Sequence, residues 1–178
     1  IAQVLGDRVN AAAGTDYQAV SFETSDGRGI EAGFLYDADR VALEEAYQMS
    51  GPAVEAAFGA SSPSPGREPI VGNFSYKVTE FTLIGNHFKS KGGDDALFGV
   101  TWPPDRDTET QRKAQAQVVR DFVNGIFASD PGAYVIVAGD LNDFEFGEPG
   151  EGTDHPVGIL EGVGGEIPLT NLVNLEKD

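Results

Sequence analysis

Two oxygen-bearing side chains, Asp140 and Asn142, stand two residues apart just beyond an apolar run, Tyr134-Val135-Ile136-Val137-Ala138. In extended backbone that spacing projects both the same way. A hard divalent cation such as Mg²⁺ takes one or two carboxylate oxygens with water and substrate phosphate, which this pair can offer. The same residues also suit a polar turn ending a strand, because both side chains readily bond nearby backbone. Residue types alone leave both readings open. His87, in Asn86-His87-Phe88-Lys89-Ser90-Lys91, is a second candidate. An imidazole beside two ammonium groups at a strand end suits an anionic ester, although a lone histidine is also an ordinary polar residue. His155, in Thr153-Asp154-His155-Pro156, lies in a Gly-rich loop without basic neighbours and reads as structural. The sequence contains no Gly-rich phosphate loop, His-Glu-x-x-His helix, serine elbow or basic recognition helix. With no cysteine, thiolate metal sites, redox motifs and cysteine nucleophiles are excluded.

The elements that must position these residues follow from periodicity. Residues 134–138 are apolar on both faces and predict a strand central in a sheet covered on both sides. Residues 70–77 and 81–88 are rich in β-formers, separated by three residues, and predict an antiparallel hairpin. On its second strand Phe81, Leu83 and His87 share one face, while Thr82, Ile84, Asn86 and Phe88 share the other. His87 thus ends a strand and faces a long irregular connection, residues 89–104, of the kind that is more often functional than incidental. Thr108-Glu109-Thr110-Gln111 matches a capping box and starts a helix to about residue 127. Ala114, Val118, Phe122 and Ile126, with Val119 and Val123 alongside, supply its expected buried stripe.

Upstream, residues 1–13 place apolar side chains at helical spacing and predict an amphipathic helix closed by Gly14. Residues 17–22 alternate like a strand, residues 25–29 read as a turn, and residues 30–36 predict a second strand. Val41-Ala42-Leu43 suggests a short strand and residues 53–58 one or two helical turns. Residues 61–66 read as a surface loop, residues 144–165 as loops, and residues 167–175 as the start of a further short element. A helix followed by strands is the opening of a layered α/β or α+β domain. At 178 residues the chain fits one domain, 1–178, which can bury roughly 70% of its unfolded surface without disulfides.

The formal charge of −17 predicts a field that repels nucleic acid and anionic membrane unless basic residues cluster. They do cluster in sequence. Eight of the twelve lie between positions 67 and 120 (Arg67, Lys77, Lys89, Lys91, Arg106, Arg112, Lys113, Arg120), and residues 121–176 contain none. No run approaches the roughly 20 apolar residues of a membrane helix.

Four motifs occur in order: Asn86-His87-Phe88-Lys89-Ser90-Lys91-Gly92-Gly93-Asp94, Gln111-Arg112-x-x-Gln115-Ala116, Val137-Ala138-Gly139-Asp140-Leu141-Asn142-Asp143-Phe144 and Leu169-Thr170-Asn171-Leu172-Val173-Asn174. With them the chain resembles the endonuclease/exonuclease/phosphatase family, and its secreted bacterial nuclease-like branch. The resemblance covers roughly the whole chain and is weaker before Arg67. It implies an α/β (α+β) fold, a two-sheet β-sandwich flanked by helices in a deoxyribonuclease-like four-layer architecture, here partial. It also implies Mg²⁺- or Mn²⁺-dependent hydrolysis of phosphodiesters or phosphomonoesters, with nucleic acid or another phosphoester as substrate, in an extracellular setting.

Carried over residue by residue, the resemblance makes Asp140 the holder or activator of the attacking water beside the metal, with Asn142 orienting that water or the scissile phosphate. His87 would bond a non-bridging or leaving oxygen. Asn86, Lys89, Gln111 and Arg112 would contact substrate, and Glu31 would join Asp140 and Asn142 as a metal ligand. The family's early metal-binding Glu and its final Asp-His pair are missing from the sequence, so the chain reads as truncated at both ends. Three functions are therefore expected in turn: a nuclease core, a phosphatase for lipid or sugar phosphates, or a non-catalytic binding or scaffold module that retains the fold.

Overall fold

The computed structural model describes residues 2–63, 65–96, 98–147, 151–162 and 164–175. The chain forms two compact units, one of Ile1–His87 with Gly132–Asp140, the other of Phe88–Pro131 with Leu141–Asp178.

The first unit carries the sheets. Helix α1 (Ala2–Ala13) leads into β1 (Tyr17–Phe22) and β2 (Ala32–Asp37), an antiparallel pair. Strand β3 (Ala42–Gln48), helix α2 (Pro52–Ala57), β4 (Arg67–Tyr76), β5 (Thr79–His87) and β6 (Val135–Asp140) follow, and the four-stranded sheet has the order β3-β4-β5-β6. β3, β4 and β5 run antiparallel, while β5 and β6 run parallel. Phe34 of the small sheet packs with Ile70 and Phe74 of the large one, and Val20, Phe22, Leu43, Phe81 and Leu83 close around them. The Phe74 ring meets Phe34 and Tyr36 edge-on at 5.7 and 5.5 Å and stacks on Phe81 at 5.6 Å. Burial of each such side chain contributes about 1.5–3 kcal/mol. This is the two-sheet α/β architecture expected from the sequence, with helices beside the sheets.

Two expectations for this unit are corrected. β6 is the last strand in the order, not a central one: among the described residues it pairs with β5 alone, and Ile136 is 45% exposed. An apolar run reports that both faces can be covered, not that both edges are paired. Helix α1 is present, but Val4 and Leu5 of its apolar stripe are exposed. It attaches through Gly6, where an added Cβ would lie 3.2 Å from the Tyr17 carbonyl oxygen, and through Asn10, which donates to Tyr17 O and accepts from Tyr17 N.

The second unit holds α3 (Glu109–Ser129), α4 (Pro156–Glu161) and α5 (Leu172–Leu175). The capping box does not form. Thr108 makes no side-chain cap bond; its hydroxyl and its amide both donate to the Asp94 carboxylate, at 2.7 and 2.9 Å. The buried face of α3 runs through Arg112, Gln115, Ala116, Val119, Arg120, Val123 and Phe127, whereas Ala114 is exposed. The expected stripe was drawn from apolar residues only, and it missed arginines that are buried because they are paired.

A six-residue helix, α4, lies in the stretch read as loops. His155 is buried at its N-cap, where Nδ1 accepts from Gly158 N at 3.3 Å, which is the structural role read from its neighbours. Arg120 meets the other end: Nη1 donates to Leu160 O at 3.1 Å and Nη2 to Ile167 O at 2.6 Å, so the guanidinium satisfies a helix-end carbonyl. Gly162 must be glycine here, since its φ is +96° and a Cβ would lie 2.9 Å from Arg120 Cζ.

Gly162→Ala is therefore expected to lower stability by about 1–3 kcal/mol. Gly125→Ala, in open space within α3, is expected to raise it by about 0.5–1 kcal/mol. Opposite shifts of the two denaturation midpoints check both assignments.

Candidate active site

In the first unit the parallel register sets Thr82 opposite Val135 and, five pairs on, His87 opposite Asp140. Neighbouring parallel strands present paired residues on one face, and the two side chains meet with His87 Nε2 3.8 Å from Asp140 Oδ2. Both are open to a ligand, at 37% and 61% side-chain exposure. The close approach of the strands depends on Gly139: its φ is +122°, and a Cβ there would sit 2.0 Å from Asn86 O. Asn86 is buried, and its Nδ2 donates to Ile84 O at 3.0 Å and to Ala138 O at 3.2 Å. Through Nδ2, Asn86 is a tie between β5 and β6.

Behind His87 lies an ionic group that sequence reasoning did not find. Arg67, opposite His87 across β4 and β5, donates Nε to His87 O at 3.3 Å and Nη1 to Asp26 Oδ2 at 2.9 Å. Asp26, in the turn after β1, also receives Arg28 Nε at 2.9 Å and Nη2 at 2.6 Å. The Arg28 hydrogen bond, helped by Arg67 and opposed by burial, holds the Asp26 carboxyl far below the usual carboxylate range. Ser25 donates its amide to Glu68 Oε2 at 2.9 Å, and its hydroxyl to Glu68 Oε1. Glu31 is exposed before β2. The charge of Asp26 also reaches His87.

His87 is held below its ordinary 6.5 by partial burial first, then by the charges of Arg67 and Arg28, against the opposing pull of Asp140 and Asp26. The neutral imidazole is thus favoured in the folded protein. Its contribution to stability is present above the unfolded value and is lost as pH falls through the lower folded one.

In the second unit Asn142 has a left-handed backbone, φ +49°, and its Nδ2 donates to Phe88 O at 3.0 Å. Asp143 beside it accepts from Arg112 Nε at 2.8 Å and Lys91 Nζ at 2.7 Å, and Lys91 Nζ also lies 3.9 Å from the Phe144 ring centroid. Arg112 Nη2 reaches Asp94 at 3.2 Å, and Nη1 donates to Thr108 Oγ1. Arg112 is only 1% exposed and joins the 88–95 stretch, α3 and Asp143 from within. Burial raises the Asp143 carboxyl, but Lys91, Arg112 and the Phe144 amide outweigh it and hold the group below its ordinary 3.8. Gln115, also buried, accepts the Lys89 amide at 2.8 Å, while Gln111 is half-buried in the first turn of α3. Among the described residues no group of three or more His, Cys, Asp or Glu side chains is gathered to hold a metal ion.

The family model described as "Endonuclease/Exonuclease/phosphatase family" matches residues 2–151. The chain belongs to the endonuclease/exonuclease/phosphatase family. Its family is one of phosphoester hydrolases, and solved structures share its fold. A truncated TDP2 from Caenorhabditis elegans is 20% identical with a TM-score of 0.53, over 82% of this chain and 48% of that one. The human Nocturnin catalytic domain, solved with a bound sulfate anion, is 17% identical with a TM-score of 0.51, over 80% and 47%. The chain thus spans about half the length of these relatives. No curated protein matches it.

Asp94 and Asp143 stand in the sequence only as members of the quoted motifs, because Arg112 lies 18 and 31 positions away, and although Arg28 is two residues from Asp26, its buried partner Arg67 lies 41 away. Asp143 was marked only by standing next to Asn142. Two measurements check the electrostatics. NMR titration is expected to give His87 a pKa below 6.5, lowered further by Asp140→Asn; an unchanged value in the variant would show the pair to be uncoupled. Arg112→Met leaves two carboxylates without their buried cation and is expected to cost about 3–5 kcal/mol in chemical denaturation.

Proposed function

We propose that this chain is the core of a divalent-metal-dependent phosphoesterase, a nuclease that hydrolyses phosphodiester bonds. The observation that carries the reading is the meeting of His87 and Asp140 on the open face of paired parallel strands, 3.8 Å apart, in a chain of this family. In hydrolysis a water oxygen forms a bond to phosphorus, the bond to the leaving oxygen breaks, and the departing oxygen gains a proton. Asp140 accepts a hydrogen bond from the attacking water and orients it. His87, neutral, donates to a non-bridging or leaving oxygen as negative charge builds there, a preorganised donor of the kind that carries much of phosphoryl-transfer catalysis. By the family resemblance, Asn142 would orient the water or the phosphate, and Lys89 and Gln111 would contact substrate.

Mg²⁺ or Mn²⁺ fits this donor set, because such ions are held by one or two carboxylates together with water and substrate phosphate. Asp140 would hold it, with Asn142 and Glu31 as the further ligands that the family resemblance implies. When bound, the ion supplies positive charge to the phosphoryl oxygens. An extracellular setting belongs to the same proposal, and the acidity and lack of cysteine accommodate it.

A second reading, a phosphatase for small lipid or sugar phosphates, is favoured by the fate of the basic cluster. Among the described residues six of its eight cations, Arg67, Lys91, Arg106, Arg112, Lys113 and Arg120, lie in ion pairs with carboxylates. Little of the cluster remains to attract a polyanion.

In the full-length protein with Mg²⁺, Asp140→Ala and His87→Ala are each expected to lower phosphodiester turnover by about 10²–10³-fold or more. Full activity in either variant overturns the assignment. A binding constant that falls steeply with salt, by about 0.9 in log-log slope per phosphate contacted on duplex DNA, selects the nuclease, and a flat response selects the small substrate.

A further inference from the structure

Arg28 combines exposure with a fixed direction. Its side chain is 69% exposed, yet its guanidinium is gripped edge-on by Asp26, whose carboxylate is 4% exposed. Exposed arginines ordinarily lose appreciable side-chain entropy when they bind a ligand. Here that ordering is already in place. The backbone amide of Arg28 also donates to Asp26 Oδ1 at 2.9 Å, so the turn and the side chain share one anchor. Asp26 is itself immobilised by Arg67 Nη1 at 2.9 Å, and Arg67 is bonded to the backbone of His87. A continuous run of hydrogen bonds therefore ties the Arg28 guanidinium to the strand end that carries the imidazole.

The geometry of the grip leaves a specific set of donors. An arginine has five N–H groups in one plane. Asp26 takes Nε–H and one hydrogen of Nη2. The remaining Nη2 hydrogen and both Nη1 hydrogens make no hydrogen bond among the described residues, and together they form the end-on fork that matches two oxygens of a phosphate. The neighbouring acids are already engaged: Asp26 by both arginines and Glu68 by Ser25. Asp140 is the carboxylate that lies against His87.

We propose that Arg28 is a substrate-binding residue whose preset guanidinium fork receives a phosphate group of the phosphoester, beside His87 and Asp140. The identity of the ligand rests on the phosphoesterase reading above; the anion-binding fork itself rests on the geometry of Asp26, Arg28 and Arg67. Arg28 acts on ground-state binding, holding two phosphate oxygens while His87 and Asp140 face the reacting ones.

The test uses the full-length protein and two probes, inorganic phosphate and a phosphodiester substrate with Mg²⁺. Phosphate titration followed by the Arg28 side-chain NMR signals is expected to shift Nε–H and the Nη protons saturably. Arg28→Ala is expected to raise KM for the diester by about 10- to 100-fold, the span of one charged hydrogen-bond pair, with kcat changed by less than about threefold. Arg28→Lys keeps the charge without the fork, so it is expected to leave KM raised with kcat little changed, a loss confined to KM that a merely structural role would not produce. Unchanged KM and unchanged phosphate affinity in Arg28→Ala overturn the inference and leave the phosphoesterase reading standing. Phosphate that moves Arg28 in a protein hydrolysing no phosphoester sinks that reading and supports the fork as an anion site. Phosphate that leaves the Arg28 signals in place overturns the fork.

Discussion

The parallel pairing of β5 with β6 in a single register is the constraint on which the site rests. Side chains alternate along a strand, so a slip of one residue would send Asp140 to the face opposite His87 and separate the two. Three features hold the register. Gly139 allows β6 to pass close to Asn86 O, Asn86 bonds the β6 backbone at Ala138, and Arg67 bonds the last carbonyl of β5. The core between the sheets, built on Phe34, Ile70 and Phe74, fixes which face of β5 is turned inward, and His87 lies on the same alternation as Phe81 and Leu83.

Charge is organised in the same spirit, by pairing within each unit. Arg67, Arg112 and Arg120 are all but buried, and each carries hydrogen bonds that a lysine could not reproduce in one plane. A chain of net charge −17 thus uses many of its cations internally, and a basic cluster in sequence is not a basic surface in the fold. Arg28, which lies outside the sequence cluster altogether, is largely exposed at the ion-pair group that Arg67 ties to His87.

Much of the fold was legible because its signals are local. The alternation of residues 17–22, the β-rich hairpin and the helical spacing of residues 1–13 appear as β1, β4 with β5, and α1. The errors share a cause as well. The α3 stripe was drawn one position off because apolar periodicity cannot register Arg112 and Arg120, whose burial depends on carboxylates and carbonyls far along the chain. The Thr108 capping box lost to Asp94 for the same reason, since a nonlocal carboxylate took both of the threonine's donors. The six-residue helix α4, which begins at Pro156, was hidden among glycines and acids, where the cap is a histidine rather than one of the usual small polar residues.

The sequence by itself determined the types and order of the chemical groups: a histidine at the end of one strand, an aspartate at the end of another, four motifs that mark the family, and no thiol chemistry. These are properties of neighbours, written within a few residues of each other. Only the tertiary structure decided that His87 and Asp140, 53 positions apart, meet on one face, that Arg67 ties Asp26 to the strand end of His87, and that Arg112 faces inward while Arg28 faces out. Those outcomes depend on strand register and on ion pairs between distant segments, and a one-dimensional pattern carries neither.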